Sequence, residues 1–451
     1  MTTASILLAA GLGTRMHSRL PKMLHPLLGL PTVLYAFETS RKFSDLLPVV
    51  VVGHEAEKVR SVLSSAAGGH VSFAEQAEQL GTGHAVLCAQ SLLQGQADRV
   101  LITLADMPLL RFETLQALIA LHEKSGAVLT MSSVIGEVPR GFGRVLRDDA
   151  GKVSAIVEEA LATPEQLALR EYNISAYCVE ADWMWAALKQ TKPSPKGEYY
   201  LTDLVALAAA QEKEVACLVL EDPSEGLGIN TRVDLAVVEA ALKARINTAW
   251  MLAGVTLLDP ATTTIEPGVT IGEDTVLFPA THLRGDTHIG SDCQIGPDTT
   301  LRDTHVGDHS KIEYSVTESA TIGNYVSMGP FCHLRAGAIL GDHVHLGNFG
   351  EVKDSSLEEG VKMGHFSYIG DAHIGANVNI GAGTITCNYD GKKKNHTEIG
   401  ENTFIGSDTM LVAPIKIGRN AKTGAGSVVT HDVPDDGLVY GVPATPHERK
   451  D

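Results

Sequence analysis

The sequence predicts two folds in tandem, an α/β unit followed by a β-solenoid. Up to about residue 229, short apolar runs alternate with helical patterns, as in a mostly parallel α/β sheet. After residue 260, aliphatic residues recur every six positions, many of them followed by Gly. Composition agrees, since 44 glycines against 5% aromatic residues point to many tight corners and little aromatic packing. At 451 residues the chain is also too long for one core.

In the first unit Ile6–Ala10, Val49–Val52 and Val100–Leu104 are expected to be buried strands. Pro31–Phe43 and Glu113–Lys124 carry helical patterns. Thr163-Pro164-Glu165-Gln166 is a helix start, with a capping Thr, Pro in the first turn and Gln three residues on. From Val233 to Trp250, the residues Val237, Ala241, Ile246 and Trp250 fit one helical face, so a linker helix is expected over 230–250.

The six-residue series runs through Ile289, Ile295 and Leu301, then Leu334, Leu340, Leu346 and Val352, then Ile405, Leu411, Ile417, Thr423 and Val429. On a helix, successive members would fall about 240° apart, which makes no amphipathic face. Short strands joined by tight turns suit the spacing, with each aliphatic pointing inward onto its equivalent in the next coil. Three hexapeptides per coil make residues 18 apart vertical neighbours. About nine coils then give a prism ~45 Å long, one strand spacing per coil.

A formal net charge of -18 argues against a nucleic-acid surface. Any phosphate substrate must be met by a few local cations or a metal against an unfavourable field. The six cysteines show no metal-ligand spacing and read as reduced thiols, so a cytoplasmic location is expected. The apolar run Ile6–Ala10 is too short for a signal sequence. No stretch approaches the ~20 apolar residues of a membrane span.

Chemistry concentrates in a few places. Leu8-Ala9-Ala10-Gly11-Leu12-Gly13-Thr14-Arg15-Met16 runs from a strand into a Gly-rich loop, followed by Leu20-Pro21-Lys22. Backbone N–H groups of such a loop approach phosphates, and Arg15 and Lys22 could neutralise them. The G-K-[ST] ending of a Walker A loop is missing. Asp106, in Asp106-Met107-Pro108-Leu109, follows a buried strand and could hold a divalent ion or cap a turn; Asn230 could equally cap a helix. In the solenoid, Arg335 and Lys353 occupy one slot 18 residues apart, where two stacked cations suit an anion or simply a solvated face. His365, one of 18 histidines, has the carboxylate of Glu351 on the neighbouring coil as a partner that could orient its ring. Asn377 to Gly391 breaks the rhythm and predicts a loop running through Lys392-Lys393-Lys394 before Ile399.

The opening through Pro21-Lys22 resembles the signature of sugar-nucleotide pyrophosphorylases. Gln76-Ala77-Glu78-Gln79-Leu80-Gly81-Thr82-Gly83-His84-Ala85 looks like the uracil-reading segment of N-acetylglucosamine-1-phosphate uridylyltransferases. Gly141-Phe142-Gly143-Arg144, Ile156-Val157-Glu158-Glu159, Asn173, Gly197 to Asp203 and Gly228-Ile229-Asn230-Thr231-Arg232 follow in that family's order. With the Glu351, His365 and Asn388 set behind them, nearly the whole chain resembles the bifunctional GlmU enzymes.

That resemblance implies a Rossmann-like pyrophosphorylase domain over 1–229 and a left-handed parallel β-helix acetyltransferase domain over 251–451. It implies acetyl transfer from acetyl-CoA to glucosamine-1-phosphate, then UMP transfer from UTP with Mg²⁺ held by Asp106 and Asn230. Leu8, Ala9, Ala10, Gly11, Arg15 and Lys22 would meet the nucleotide, Gln76, Gly81 and Thr82 would read uracil, and Gly143, Glu158 and Asn173 would hold the sugar. Arg335, Lys353, Tyr368 and Asn379 would hold glucosamine-1-phosphate. His365, oriented by Glu351, would be the base; Asn388 or a backbone donor would serve the oxyanion, and Asn388 with Tyr389 would contact the substrates. Ala382, Ser407 and Ala425 would line the coenzyme A groove, and a homotrimer would share the site between subunits. Three departures stand out. Leu104-Ala105 replaces the family's aromatic and Gly before the metal Asp, Asn173-Ile174-Ser175 replaces Asn-Thr-Gly, and Gly441 stands where an Arg often precedes Val-Pro. Two alternatives stay open: a pyrophosphorylase on a purely structural β-helix, and a non-catalytic subunit of the translation-initiation exchange type.

Overall fold

The computed structural model describes residues 1–136 and 141–447. They form two compact units that divide between Leu242 and Lys243. The helix expected over 230–250 runs from Arg232 to Leu252. Among the described residues no helix is long and apolar enough to cross a membrane.

The first unit is built on strands β1 (Thr3–Ala9), β2 (Val49–Val52), β3 (Ser72–Glu75), β4 (Arg99–Leu104), β5 (Leu129–Ile135), β6 (Arg144–Arg147), β7 (Val153–Val157), β8 (Glu171–Glu180) and β9 (Val215–Leu220). Their sheet order is β9-β5-β8-β4-β1-β2-β3, with β6 pairing β8 and β7. All neighbours on the main path are parallel except β8, which is antiparallel to β4 and β5. Both faces of β1 are buried, which is why that strand reads as a continuous apolar run. The sheet reverses its order at β1, between β4 and β2. The loops leaving β1 and β4 therefore emerge side by side at the carboxyl edge, the place where open α/β sheets bind ligands.

The helix expected over Pro31–Phe43 is an α-helix only from Thr32 to Ser40 and closes as a 3₁₀ turn over Arg41–Phe43. Pro31 itself stays extended and pairs with Pro26 in a short hairpin. At Thr163 the capping box forms in full: Gln166 N–H donates to Thr163 Oγ1, and Thr163 N–H donates to Gln166 Oε1 at 2.9 Å.

The second unit is a parallel β-helix of hexapeptide repeats with sheets of 12, 10 and 9 strands, consistent with the left-handed form the resemblance implies. Its core is one continuous stack, and a single column runs Leu283, Leu301, Thr317, Leu334, Val352, Ile369, Thr386, Leu411, Val429. Corners are turned by residues in the left-handed region, many of them Asp or Asn. The vertical repeat is 18 residues at Thr264↔His282, 17 at His288↔His305 and 16 at Thr300↔Val316, because single residues drop out of corners while the strands keep their phase.

The break in rhythm is shorter than expected. Asn379–Ile380 and Ile385–Cys387 remain ladder strands, and Gly383 turns an ordinary corner at φ 75°. Only residues 388–396, between Cys387 and Thr397, leave the prism, closed by a bridge between Tyr389 and Lys394.

Candidate functional site

Parallel pairing of Leu8 with Leu104 puts the loop after β1 against the loop after β4, where Ala105 N–H donates to Leu8 O. Gly13 adopts φ 64°, and a Cβ there would sit 2.6 Å from Lys22 Cβ, so glycine lets Lys22 close over the loop. Lys22 Nζ donates to Asp106 Oδ2 at 2.6 Å and Asn230 Oδ1 at 3.3 Å. Arg15 Nη2 donates to the same Asn230 oxygen at 2.9 Å. Two hard oxygens thus converge on one cation-filled point, with Lys22 as the stand-in ion, and this donor set fits Mg²⁺. Leu8, Ala9 and Ala10 are buried, while Gly11 is exposed with open space about it.

At the end of β3, Gln76 N–H donates to Val52 O, which brings the next motif to the same sheet edge. Gln76 is buried; its Nε2 donates to Gly81 O at 2.9 Å and lies 3.1 Å from His84 Nδ1, leaving Oε1 for a donor such as a base edge. Gly81, at φ 97°, passes so close to Tyr199 that any Cβ would meet its carbonyl oxygen at 2.5 Å. Thr82 Oγ1 then accepts from Leu201 N–H.

Two adjoining chambers of about 280 and 180 Å³ share Leu104, Glu158 and Ser175. The first also takes Gly81, Thr82, Tyr177 and Thr202; the second takes Arg15, Asp106, Gly143, Asn173 and Asn230. Gly81 and Thr82 of the expected uracil set, with the expected sugar and metal residues, therefore open onto one cleft, and Gln76 lies buried behind Gly81. Glu158 accepts from Thr202 Oγ1 at 2.8 Å, and burial, the largest effect, lifts its carboxyl above the usual range.

In the β-helix, register pairs Leu334 with Val352, so Arg335 and Lys353 stack as expected. Both already have carboxylates: Arg335 Nη1 lies 3.1 Å from Glu351 Oε1, and Lys353 Nζ lies 3.3 Å from Asp371 Oδ1. Lys394 joins them, 4.0 Å from Asp371 Oδ2. Contact with Lys394, then Asp371, raises the Lys353 ammonium, while Lys353 pushes the Lys394 ammonium down. Lys353 and Lys394 share the half-buried Asp371 carboxylate, with Arg335 stacked on Lys353 and held by Glu351, so three cations and two carboxylates gather where an anion could displace the carboxylates.

Glu351 faces Tyr368 across the ladder, and no hydrogen bond joins it to His365 among the described residues. His365 is exposed. The orientation of His365 by Glu351 is therefore not made within this single chain, because Arg335 holds the carboxylate. Asn388 is buried, and its Nδ2 donates to Asp371 and, at 3.3 Å, to Tyr368 Oη, so both amide hydrogens are engaged. Asn379 lies on the ladder between Lys362 and Phe404, and Tyr389 is exposed at the base of the excursion. Ala382, Ser407 and Ala425 form a vertical column, since Asp408 N–H donates to Ala382 O and Gly426 N–H to Ser407 O.

Comparison with known proteins decides the family. Residues 5–161 match the MobA-like NTP transferase domain, and residues 396–431 match the bacterial transferase hexapeptide repeat. The bifunctional protein GlmU of Pelobacter propionicus is 46% identical over 96% of this chain and 95% of its own length. That of Exiguobacterium sibiricum is 44% identical over 97% of each, and that of Geobacter sulfurreducens 42% over 99% and 97%. The chain belongs to the bifunctional GlmU family. Membership makes it an enzyme of UDP-N-acetylglucosamine synthesis, a nucleotidyltransferase joined to a hexapeptide-repeat acyltransferase.

Against that GlmU frame, sequence reasoning missed Thr202, Tyr177, Asp371 and the placing of Lys394, while Ser175 enters it only as a departure from the family's Gly. Thr202 sat inside a quoted motif, and Asp371 lies 18 residues beyond Lys353, so the coil repeat could have found it. Gly441 has φ 103° in a hairpin that pairs it with Ala444, which explains why an Arg is absent there. Arg419, a cation of the last coils, is engaged with Asp435 at 3.0 and 3.2 Å.

Proposed function

We propose that the chain makes UDP-N-acetylglucosamine in two steps, with the uridylyltransferase over 1–229, a linker helix over 230–250 and the acetyltransferase over 251–451. The observation that carries the first site is the convergence of Arg15, Lys22, Asp106 and Asn230 in the cleft that also holds Glu158 and Asn173. Lys22 and Arg15 release their carboxylate and amide partners to take the triphosphate. Asp106 and Asn230 would then hold Mg²⁺, which when bound neutralises phosphate charge. Gln76, Gly81 and Thr82 take uracil, and Gly143, Glu158 and the cluster built on Asn173 take N-acetylglucosamine-1-phosphate. A phosphate oxygen of the sugar attacks the α-phosphorus of UTP, the bond to the β-phosphate oxygen breaks, and pyrophosphate leaves. Catalysis here is positioning and charge neutralisation, as in other phosphoryl transfers.

In the β-helix, the phosphate of glucosamine-1-phosphate takes Arg335, Lys353 and Lys394, with Tyr368 and Asn379 on the sugar. Loss of Arg335 to the phosphate frees Glu351 to orient His365. His365 accepts a proton from the sugar amine, the amine nitrogen attacks the thioester carbonyl of acetyl-CoA, and the C–S bond breaks to release the thiol. A backbone donor, or the Asn388 amide once released from Asp371, stabilises the oxyanion. Ala382, Ser407, Ala425 and Tyr389 line the coenzyme A side. A homotrimer supplies the neighbouring wall. Six unpaired cysteines support a reducing, cytoplasmic setting.

The test mixes protein with glucosamine-1-phosphate, acetyl-CoA, UTP and Mg²⁺ and follows thiol and pyrophosphate separately. Release of both, with thiol alone lost in His365→Ala, is the expected result. Pyrophosphate only from ready-made N-acetylglucosamine-1-phosphate, and never any thiol, would leave a pyrophosphorylase on a β-helical scaffold.

A further inference from the structure

Asn173, the residue expected to hold the sugar, spends its side chain on its own strand. Its Nδ2 donates to Tyr177 Oη at 2.7 Å and to Ser175 Oγ at 3.2 Å, while its Oδ1 accepts from Ser175 N–H at 3.1 Å. Both amide hydrogens and one oxygen lone pair are thereby used, and no donor is left for a ligand. This happens at a bulge in β8, where pairing with β5 slips between Asn173 and Tyr177. Ser175 sits there at φ 55°, a left-handed conformation that a side chain seldom adopts. The strain has a consequence in the cleft, because Ser175 lines both chambers and Tyr177 the larger one.

Proton bookkeeping shows what the cluster offers. Tyr177 is wholly buried, and its hydroxyl faces both Asn173 and Ser175. Two hydroxyl hydrogens remain after Asn173 has donated twice. At most one of them can pass between Ser175 and Tyr177, and among the described residues no hydroxyl bond reaches the remaining lone pair of Asn173 Oδ1, so one hydrogen is left over. Ser175 is half-buried and both residues line the cleft, so the spare hydroxyl hydrogen is placed to be given to an oxygen of the ligand.

We propose that Ser175 and Tyr177, held by Asn173, position the acceptor sugar by donating a hydrogen bond to one of its oxygens, with Asn173 acting only through them. The oxygen belongs either to a ring hydroxyl or to the carbonyl of a 2-acylamino group. The inference rests on the reading of this cleft as the sugar-phosphate site.

The test is steady-state uridylyl transfer by the full-length protein for wild type, Tyr177→Phe and Ser175→Gly. Each is run with N-acetylglucosamine-1-phosphate and with glucose-1-phosphate, together with a melting curve. Phe keeps the ring but strands an Asn173 amide hydrogen, so Tyr177→Phe should melt lower, whereas Gly relieves the backbone at φ 55° and offsets the loss of the weaker Ser175 acceptor, so Ser175→Gly is the variant that stays folded as wild type. The expected result is a KM for the sugar phosphate raised about 3- to 10-fold, the worth of one neutral hydrogen bond, with the KM for UTP unchanged. A loss confined to N-acetylglucosamine-1-phosphate places the bond on the acyl carbonyl, and an equal loss for both sugars places it on a ring hydroxyl. Unchanged sugar KM in both variants of an active enzyme overturns the hydroxyl assignment alone. A wild type that releases no pyrophosphate with either sugar overturns the reading of the cleft, and the inference with it.

Discussion

Lys22 is nearly buried against Asp106 before any substrate arrives, and that pairing fixes what its loss should do. Alanine there leaves the carboxylate without its cation and the triphosphate without a donor, so uridylyl transfer should fall by about 100-fold or more. Thiol release from acetyl-CoA should not change, and assaying both products on one preparation checks this. Glu158 gives a second prediction of opposite character. Burial raises its carboxyl above the unfolded value, so the folded state holds a proton that the unfolded state has released. Stability from this group is full below the unfolded pKa and is lost as pH rises through the folded one. Glu158→Gln should therefore raise the melting temperature at pH 7, lose that advantage toward about pH 4, and weaken sugar binding. At this scale the sequence identified which residues bear chemistry but not which partner each would choose. Glu351 was legible as a carboxylate near His365, yet Arg335 lies closer in register and takes it.

The elements were legible where one periodicity ruled. Val49–Val52 is a four-valine run buried along its whole length, and the hexapeptide aliphatics stack as their spacing requires. Legibility failed where a polar residue occupies an apolar slot or where a strand slips. Thr317 and Thr386 stand in the Leu334 column, and six-residue counting alone gives no reason to place a hydroxyl inside. Thr386 shows what it does there: Oγ1 accepts from Gly370 N–H at 2.8 Å and donates to Gly370 O at 3.0 Å. Thr386→Val keeps the shape and strands a buried N–H, so it should cost about 1–3 kcal/mol. Thermal unfolding should register this as a lower melting temperature. Because Gly370 lies between Tyr368 and Asp371, acetyl transfer should weaken while uridylyl transfer holds. The bulge at Ser175 is the other failure, since a single φ of 55° reverses the direction of side chains that alternation would otherwise predict.

At the scale of the whole molecule the two chemistries should differ in their need for a second copy. The expected uridylyl residues lie within a single unit, most of them lining one cleft, whereas His365 is exposed and unpartnered among the described residues. Beside it runs a column of exposed aromatic rings, Tyr314, Phe331 and Phe349, with centroids 5.7 and 5.3 Å apart. Phe366, next to His365 and also exposed, follows one coil on by the register of Gly350 with Ser367. Rings left in water along one corner carry apolar surface that association would bury at roughly 25 cal/mol per Å². Two measurements follow from this difference. Sedimentation should find a trimer, and dilution through its dissociation range should lower thiol release per chain while pyrophosphate release per chain stays level. Phe349→Asp should shift the thiol curve to higher protein concentration without moving the other. Thiol release that is fully retained in a monomer would mean that one chain completes its own acetyltransferase site, and that Glu351 reaches His365 unaided once the sugar phosphate takes Arg335.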